Sequence, residues 1–104
     1  MKEIIRRIIQ EIFCENGVEI SSIILFGSRA RGDAVKHSDW DLLVVTKKDI
    51  SREEKRKISH IIRKRLADKF IPCDVLIKSE KEVEERKNIV GSVIKSAVRE
   101  GVVL

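Results

Sequence analysis

The chain has 104 residues, which is enough for one compact domain over residues 1–104 and one hydrophobic core. Hydrophobic residues make up 42% of the chain and charged residues 38%, with one proline and two cysteines, and this composition excludes collagen-like, disordered and disulfide-scaffold proteins. The formal net charge is +5, and no apolar run approaches the roughly 20 residues of a membrane span, so we expect a cytoplasmic protein without a signal peptide.

The first quarter of the chain predicts a helix and a strand. Isoleucines at helical spacing, closed by Asn16-Gly17 as a stop, predict an amphipathic helix over residues 2–15. The β-branched run 23–26 stops at Gly27 and predicts a short buried strand. Residues 29–31 are then expected to start a helical turn.

The middle of the chain predicts a second strand and a long helix. Residues 40–45 form the strand pattern, and Ser51 with Glu54 three residues later forms a capping box that opens the helix. We expect Pro72 to end this helix. Its apolar face is expected to carry Ile58, Ile61, Ile62, Leu66 and Phe70.

The last third of the chain predicts one more strand and two more helices. Residues 73–77 form the strand, and Ser79 with Glu82 opens a capped helix. Gly101 is expected to stop the final helix. The apolar stripe of that helix is predicted to be Val90, Val93, Ile94, Ala97 and Val98. Short strands alternating with amphipathic helices indicate an α/β or α+β fold of two layers, a small sheet covered by helices.

The positive charge is concentrated in one segment. Between Arg52 and Lys69 there are eight basic and three acidic residues, so this segment carries the whole surplus. Such a surface attracts a nucleotide, RNA or an acidic protein face, and a solvated helix face is the alternative. With four aromatic residues and no tyrosine, the chain lacks the stacking platforms of single-strand binders, and direct nucleic-acid binding is not expected.

A glycine-serine turn follows the first predicted strand. Gly27 lets a phosphate approach the backbone, and the Ser28 hydroxyl and the N–H groups at the start of the next helical turn can donate to it. An ordinary strand-to-helix connection is the alternative. Arg29 and Arg31 are candidates to contact a triphosphate, and only one of them is expected to face the site.

Two aspartates begin the second predicted strand. Asp39 and Asp41 are two residues apart, so their side chains share one face, and Trp40 is expected to point into the core on the other. Carboxylates so close repel each other, and a divalent cation would relieve that repulsion. Alternatively, Asp39 caps a turn after Ser38 and Asp41 is merely exposed.

A third aspartate lies in the last apolar strand. Asp74 is surrounded in sequence by apolar residues, and a neighbouring strand would bring it beside Asp39 and Asp41. Three carboxylates next to a glycine-serine phosphate turn have the chemistry of metal-assisted nucleotidyl transfer. The combination is far more specific than any of its parts.

This combination resembles the signature of the DNA polymerase β-like nucleotidyltransferase superfamily, which is Gly-Ser, a spacer, Asp-x-Asp and a third Asp on a later strand. The matching residues are Gly27-Ser28, Asp39, Asp41 and Asp74. The short length, the spacer Arg-Ala-Arg-Gly and the ending Arg-Glu-Gly-Val-Val-Leu resemble in particular the minimal nucleotidyltransferases (MNT). Those are small prokaryotic proteins, often paired with a helical HEPN-domain partner in toxin–antitoxin modules.

The resemblance implies a fold and a set of site residues. The fold would be a mixed sheet of three or four strands with about four to five helices, packed mostly against one face, and an active site on the exposed side. Gly27 and Ser28 would bind the nucleotide phosphates. Asp39, Asp41 and Asp74 would be catalytic and would hold Mg²⁺, as two ions.

The resemblance also implies an activity and a partner. The expected reaction is Mg²⁺-dependent transfer of AMP from ATP to an acceptor hydroxyl, such as a tyrosine of a HEPN-type toxin for which this chain is the antitoxin. The alternative is an antitoxin that binds nucleotide without turnover and neutralises its partner by binding alone. A homo-oligomer stays open.

Both cysteines and both histidines are expected to have no part in the chemistry. Cys14 and Cys73 are expected to be buried, reduced thiols, because their spacing fits no metal or redox motif. His37 is expected in a solvated loop and His60 on the surface of the basic helix. The apolar end, residues 102–104, either packs back on the sheet or enters a partner interface.

Overall fold

The computed structural model describes residues 1–36, 38–89 and 92–104, and in these ranges four strands and five helices alternate. The strands are β1 (Ile20–Phe26), β2 (Trp40–Thr46), β3 (Cys73–Ser79) and β4 (Val102–Val103). The helices are α1 (Lys2–Glu15), α2 (Ser28–Arg31), α3 (Arg52–Ala67), α4 (Glu80–Arg86) and α5 (Val93–Glu100). The predicted α+β class and the predicted numbers of strands and helices are confirmed.

The four strands form one mixed sheet in the order β3-β2-β1-β4. β1 pairs antiparallel with β2 and with β4, whereas β2 pairs parallel with β3. Parallel neighbours need a crossover, and α3 supplies it between β2 and β3. The chain end is part of the sheet, because Val103 pairs with Ile24 and the Leu104 N–H donates to the Ile23 carbonyl at 2.9 Å.

The sheet is covered on both faces, to different extents. The main core lies between the sheet and the two long helices, α1 and α3, and includes Leu25, Leu42 and Ile62. On the other face, Leu43 and Val45 pack with residues of the short helices α4 and α5. The expectation that helices pack mostly against one face is thus met only in part, because the apolar side chains of the second face also need cover. No helix in the described ranges is long and apolar enough to cross a membrane.

Serine caps fix where α3 and α4 begin. The Ser51 hydroxyl accepts from the Glu54 N–H at 3.1 Å, as predicted. At α4 both halves of the capping box are present, because Ser79 Oγ accepts from the Glu82 N–H and Glu82 Oε1 accepts from the Ser79 N–H, each at 3.1 Å.

The end of α3 differs from the prediction. The helix stops at Ala67, well before Pro72, and Phe70 adopts a left-handed backbone with φ 61°. Its side chain is 94% exposed, so the prediction that Phe70 lines the core face is wrong. Ile71 fills that place instead, because the left-handed turn brings its N–H back to the Leu66 carbonyl at 3.0 Å and buries its side chain.

Two further burial predictions need correction. In α5, Ile94 and Ala97 are buried, but Val93 and Val98 are exposed because this short helix contacts the sheet along a narrow stripe. Cys14 is exposed on the outer face of α1, so only Cys73, which is half-buried, approaches the expected environment. Val90 lies outside the described residues.

Glu82 joins α3, β3 and α4, and it carries a pH-dependent prediction. Its carboxylate accepts a hydrogen bond from Lys55 Nζ at 2.8 Å. Partial burial raises the pKa of Glu82, but the hydrogen bonds from Lys55 and from the Ser79 N–H hold that pKa below its ordinary value of 4.5. The charged form therefore stabilises the fold above pH 4.5, and this contribution is lost as the pH falls below that value. We expect Glu82→Gln to lower the free energy of unfolding by about 1 kcal/mol at pH 7.

The measurement is urea unfolding of Glu82→Gln at pH 7 and at successively lower pH. The difference from the unsubstituted chain is expected to shrink below pH 4.5. Glu84→Gln is the matched control on the same helix, because the Glu84 ion pair with Lys87 is exposed and contributes little. A difference that is independent of pH would contradict the ionic origin of the effect.

Candidate active site

Asp41 and Asp74 lie side by side near the first residues of the two parallel strands β2 and β3. The register of β2 and β3 sets Asp41 directly opposite Asp74, each in the second position of its strand. Adjacent strands are about 4.8 Å apart, so the main chain alone brings the two carboxylates together. Alternation along β2 puts Asp41 on the face of Leu43 and Val45, which is the face that α4 and α5 partly cover.

Asp39 lies one residue before β2 and is exposed. Trp40 is buried in the main core on the opposite face, as predicted. The segment before Asp39 is held by Arg29, whose guanidinium donates to the Ser38 carbonyl at 2.8 and 3.2 Å and whose Cζ lies 4.8 Å from the centre of the Trp40 ring. Arg29 is thus engaged with the chain itself.

Gly27 is packed against the Asp41 carboxylate. Phe26 pairs with Asp41 across the β1–β2 ladder, and Gly27 follows with φ 74°, a backbone that favours glycine. A Cβ built on Gly27 would overlap Asp41 Oδ2. Glycine at this position therefore has a steric reason, which is to leave room for the carboxylate at the start of α2.

The environment of Asp41 disfavours its negative charge. Partial burial is the largest cause that raises its pKa, and the negative charges of Asp74 and Asp39 raise it further, while Arg31 lowers it. The three carboxylates are thus close enough to repel one another, as their predicted roles require. A bound cation would reverse this balance.

Arg63 of α3 is a neighbour of the site that we did not predict. Its Nη2 donates to Asp74 Oδ1 at 2.8 Å, and both side chains are more than half exposed. The sequence holds no signal for this pair, because the two residues are eleven positions apart on a helix and a strand. Asp74 thus has a cationic partner that comes from a helix and not from its own strand.

The donor set suits a divalent cation in kind, but it is not assembled around one. Within residues 1–36, 38–89 and 92–104, no three acidic, histidine or cysteine side chains are close enough together to hold a metal ion. Asp74 points to Arg63, and Asp39 precedes the strand. The carboxylate oxygens near the start of β2 and β3 are nonetheless the type of ligand that Mg²⁺ prefers, and they repel one another at Asp41.

Two open cavities meet at Asp41. One, of about 710 Å³, is lined by Gly27, Ser28, Arg31 and residues of α5. The other, of about 620 Å³, is lined by Asp74, Arg63 and apolar side chains including Leu76 and Ile89. Each volume lies within the range of small-molecule sites. Of the two arginines predicted to bind nucleotide, Arg31 lines the first cavity and Arg29 lines neither.

The other candidate residues lie away from these cavities or are unsuited to chemistry. Burial raises the pKa of the Cys73 thiol to about 11, so this thiol is protonated at neutral pH and is a poor nucleophile. His60 is exposed on α3, as predicted. His37 lies outside the described residues.

Comparisons with known proteins concern the family and the fold of the chain. A family model described as "Nucleotidyltransferase domain" matches residues 6–103. MJ1305 of Methanocaldococcus jannaschii, a protein provisionally named as a protein adenylyltransferase, is 47% identical over 47 residues, which are 45% of this chain and 32% of MJ1305. The match to that relative thus spans only about a third of its length.

Two solved structures share the fold. A crystal structure of a toxin–antitoxin complex with AMP-PNP has a TM-score of 0.59 and 17% identity, covering 93% of this chain and 69% of that chain. A complex of the tri-AMPylated HEPN toxin of Shewanella oneidensis with an MNT antitoxin has a TM-score of 0.56 and 15% identity, covering 99% and 71%. At these identities the likeness concerns the fold, and it confirms the predicted fold type.

Proposed function

Because the chain belongs to the nucleotidyltransferase domain family, we propose that it transfers a nucleoside monophosphate, AMP from ATP, to an acceptor hydroxyl. The observation that carries this proposal is the juxtaposition of Asp41 with Asp74 across the β2–β3 ladder, beside Gly27 and Ser28. A carboxylate pair next to a cavity lined by a glycine-serine turn suits the binding and transfer of phosphoryl groups.

The proposed residue roles follow from their positions. Gly27, Ser28 and Arg31 bind the β- and γ-phosphates in the cavity that they line. The acceptor oxygen forms a bond to the α-phosphorus, the bond from that phosphorus to the bridging oxygen breaks, and pyrophosphate leaves. Asp74 takes the proton of the acceptor hydroxyl, and its exposure to the second cavity makes it accessible to an acceptor there.

We further propose that Asp39, Asp41 and Asp74 hold Mg²⁺, as two ions. Bound Mg²⁺ would neutralise the negative charge that develops on the transferred phosphoryl group and on pyrophosphate. Partial burial is the main cause of the raised pKa of Asp41; the repulsion by Asp74 and Asp39 that adds to it supports this assignment, because a bound cation would relieve that repulsion. For Asp74 to join the set, its bond with Arg63 has to break.

The proposed partner is a HEPN-type toxin, with a tyrosine as acceptor. The support is the fold that this chain shares with an MNT antitoxin in complex with an AMPylated HEPN toxin, together with a curated relative named for protein adenylylation. In this role the chain is the antitoxin and acts by modifying its partner.

A second candidate function is a nucleotide-binding antitoxin without turnover. The observation that favours it is the ion pair of Asp74 with Arg63, in a site where the described residues form no three-ligand metal group. Such an antitoxin neutralises its partner by forming a complex with it, whether or not ATP is present.

Labelled ATP separates the two functions. We expect incubation with [α-³²P]ATP, Mg²⁺ and a co-expressed HEPN-type partner to label the partner, and EDTA in excess of Mg²⁺ to abolish labelling. [γ-³²P]ATP is the control, because its label leaves with pyrophosphate. A stable complex in which neither protein is ever labelled would reject the transferase and favour the binding antitoxin.

A further inference from the structure

We propose that the groove between α3 and the free edge of β3 binds an extended, acidic segment of the acceptor protein as an added strand, and that this groove leads the acceptor hydroxyl to Asp74. The inference rests on the proposed transferase function only for the identity of the acceptor. It gives a role to Arg52 and Arg56 of α3, which do not line the two cavities that meet at Asp41.

The first observation is a free strand edge. β3 is the outermost strand of the sheet and pairs only with β2, so alternate N–H and C=O groups point away from the sheet. Over the described chain, no other segment hydrogen-bonds to the outer edge of residues 75–77. Val75, Leu76 and Ile77 line an open cavity of about 430 Å³ along this edge. An extended peptide can pair with such an edge and extend the sheet.

The second observation is the charge of this groove. Five basic side chains and one acidic side chain line it: Arg52, Lys55, Arg56, Lys78, Arg86 and Glu82. Glu82 is already engaged by Lys55 and Lys78, at 2.8 and 3.8 Å. In the described parts of the chain, Arg52, Arg56 and Arg86 form no salt bridge. These three uncompensated charges on one groove favour an acidic occupant.

The third observation is that the groove leads to the site. It shares Leu76, Lys78 and Arg86 with the cavity that holds Asp74 and Arg63. The eleven helical steps from Arg52 to Arg63 span about 16 Å, which is close to the ~13 Å of the four strand steps from Lys78 to Asp74. The arginines of α3 therefore run alongside β3 as far as the carboxylates.

This geometry sets the spacing of the bound segment. Side chains of an added strand alternate between the two faces of the sheet. If the acceptor hydroxyl of the bound segment lies on the face of Asp74, the side chains three and five residues from it lie on the opposite face, toward α3. The side chain three residues away would be near Arg56, and the one five residues away would be near Arg52. Acidic residues at those two positions would meet the uncompensated arginines.

An acidic polypeptide fits better than RNA. The main-chain groups of β3 pair with a peptide backbone, and no aromatic side chain lines the described groove to stack on a base. Glu82 would also repel a nucleic-acid phosphate. RNA is therefore treated as a competing outcome of the test.

The test measures binding of fluorescent peptides by anisotropy without ATP. The acidic peptide carries one tyrosine with glutamates three and five residues away, and its partners carry glutamine or lysine at those positions. We expect the acidic peptide to bind at least about tenfold more tightly than the glutamine peptide. N-methylation of the acidic peptide at alternate residues, those whose N–H groups face β3, should weaken its binding by a similar factor. Equal binding of all three peptides, or indifference to N-methylation, would overturn the proposal.

Charge reversal locates the site of binding. The double variant Arg52→Glu with Arg56→Glu is expected to lose about tenfold in affinity for the acidic peptide and to gain affinity for the lysine peptide. Both positions are exposed, and glutamate in the first turn of α3 suits the helix dipole, so the variant should fold. Lys57→Glu with Lys64→Glu is the control, because it makes the same charge change on exposed positions of α3 outside the groove.

The remaining outcomes separate the groove from the transferase. Equal losses in the two double variants, or a single-stranded RNA 12-mer that displaces the acidic peptide and binds more tightly, would reject the groove. Binding of the acidic peptide with no AMP transfer to it after [α-³²P]ATP and Mg²⁺ are added would support the groove and reject the transferase. Transfer of AMP with equal rates to acidic and glutamine peptides would support the transferase and reject the groove.

Discussion

Asp41→Asn is expected to abolish AMP transfer while the fold stays intact. Asp41 lies opposite Asp74, against Gly27, and between the two cavities of the site, so no other carboxylate can replace it. Loss of a charged group at the reacting centre typically reduces turnover by a factor of about 10³ or more. Incorporation of label from [α-³²P]ATP into the partner measures this loss.

Stability provides the second readout for this variant. Asp41 carries its charge at a raised pKa because of burial and of repulsion by Asp74 and Asp39, so the neutral amide removes an unfavourable charge. We expect the midpoint of thermal unfolding to stay equal or to rise. Asp49→Asn, an exposed change between β2 and α3, is the control and should keep its activity. Transfer retained by Asp41→Asn would reject the role of this carboxylate.

Gly27→Ala is expected to lower both the stability of the fold and the activity. The new methyl group would overlap Asp41 Oδ2, and alanine disfavours φ 74°. Backbone strain and overpacking together predict a loss of about 2–4 kcal/mol in the free energy of unfolding. Activity should fall because relief of the overlap displaces the Asp41 carboxylate.

Gly32→Ala is the matched control for that prediction. Gly32 has φ 82°, but a Cβ at this position would meet nothing within 4 Å. Its substitution isolates the backbone strain, about 1–2 kcal/mol, from the overlap with the carboxylate. Urea unfolding and the AMP-transfer assay on both variants give the comparison. Equal losses in the two would mean that contact with Asp41 adds nothing.

Hydrophobic periodicity predicted most of the fold. The bounds of α1 were predicted to the residue, and the serine caps located the starts of α3 and α4 because a hydroxyl must satisfy the free N–H groups there. The prediction failed at Phe70, where a left-handed turn reverses the expected burial. The spacing of apolar residues does not show at which residue the helix ends and the connection to the next strand begins.

The site residues could be predicted as a set, but their contacts could not. Alternation along a strand predicts that Asp41 and Trp40 face opposite sides, and the structure agrees. Register between strands is a property of the folded sheet, so the alignment of Asp41 with Asp74 was not available from spacing. The same holds for Arg63, which reaches Asp74 only because α3 crosses back beside β3.

The alignment of β2 with β3 is made by main-chain hydrogen bonds, and the buried apolar side chains select its register. Amide and carbonyl groups are common to all residues, so positions of the sheet can change identity without moving the two acids relative to each other, as long as the buried positions stay apolar. Only a slip of one strand past the other would separate them. The two solved structures share this fold with the chain at 17% and 15% identity, so the topology itself tolerates wide divergence of the sequence.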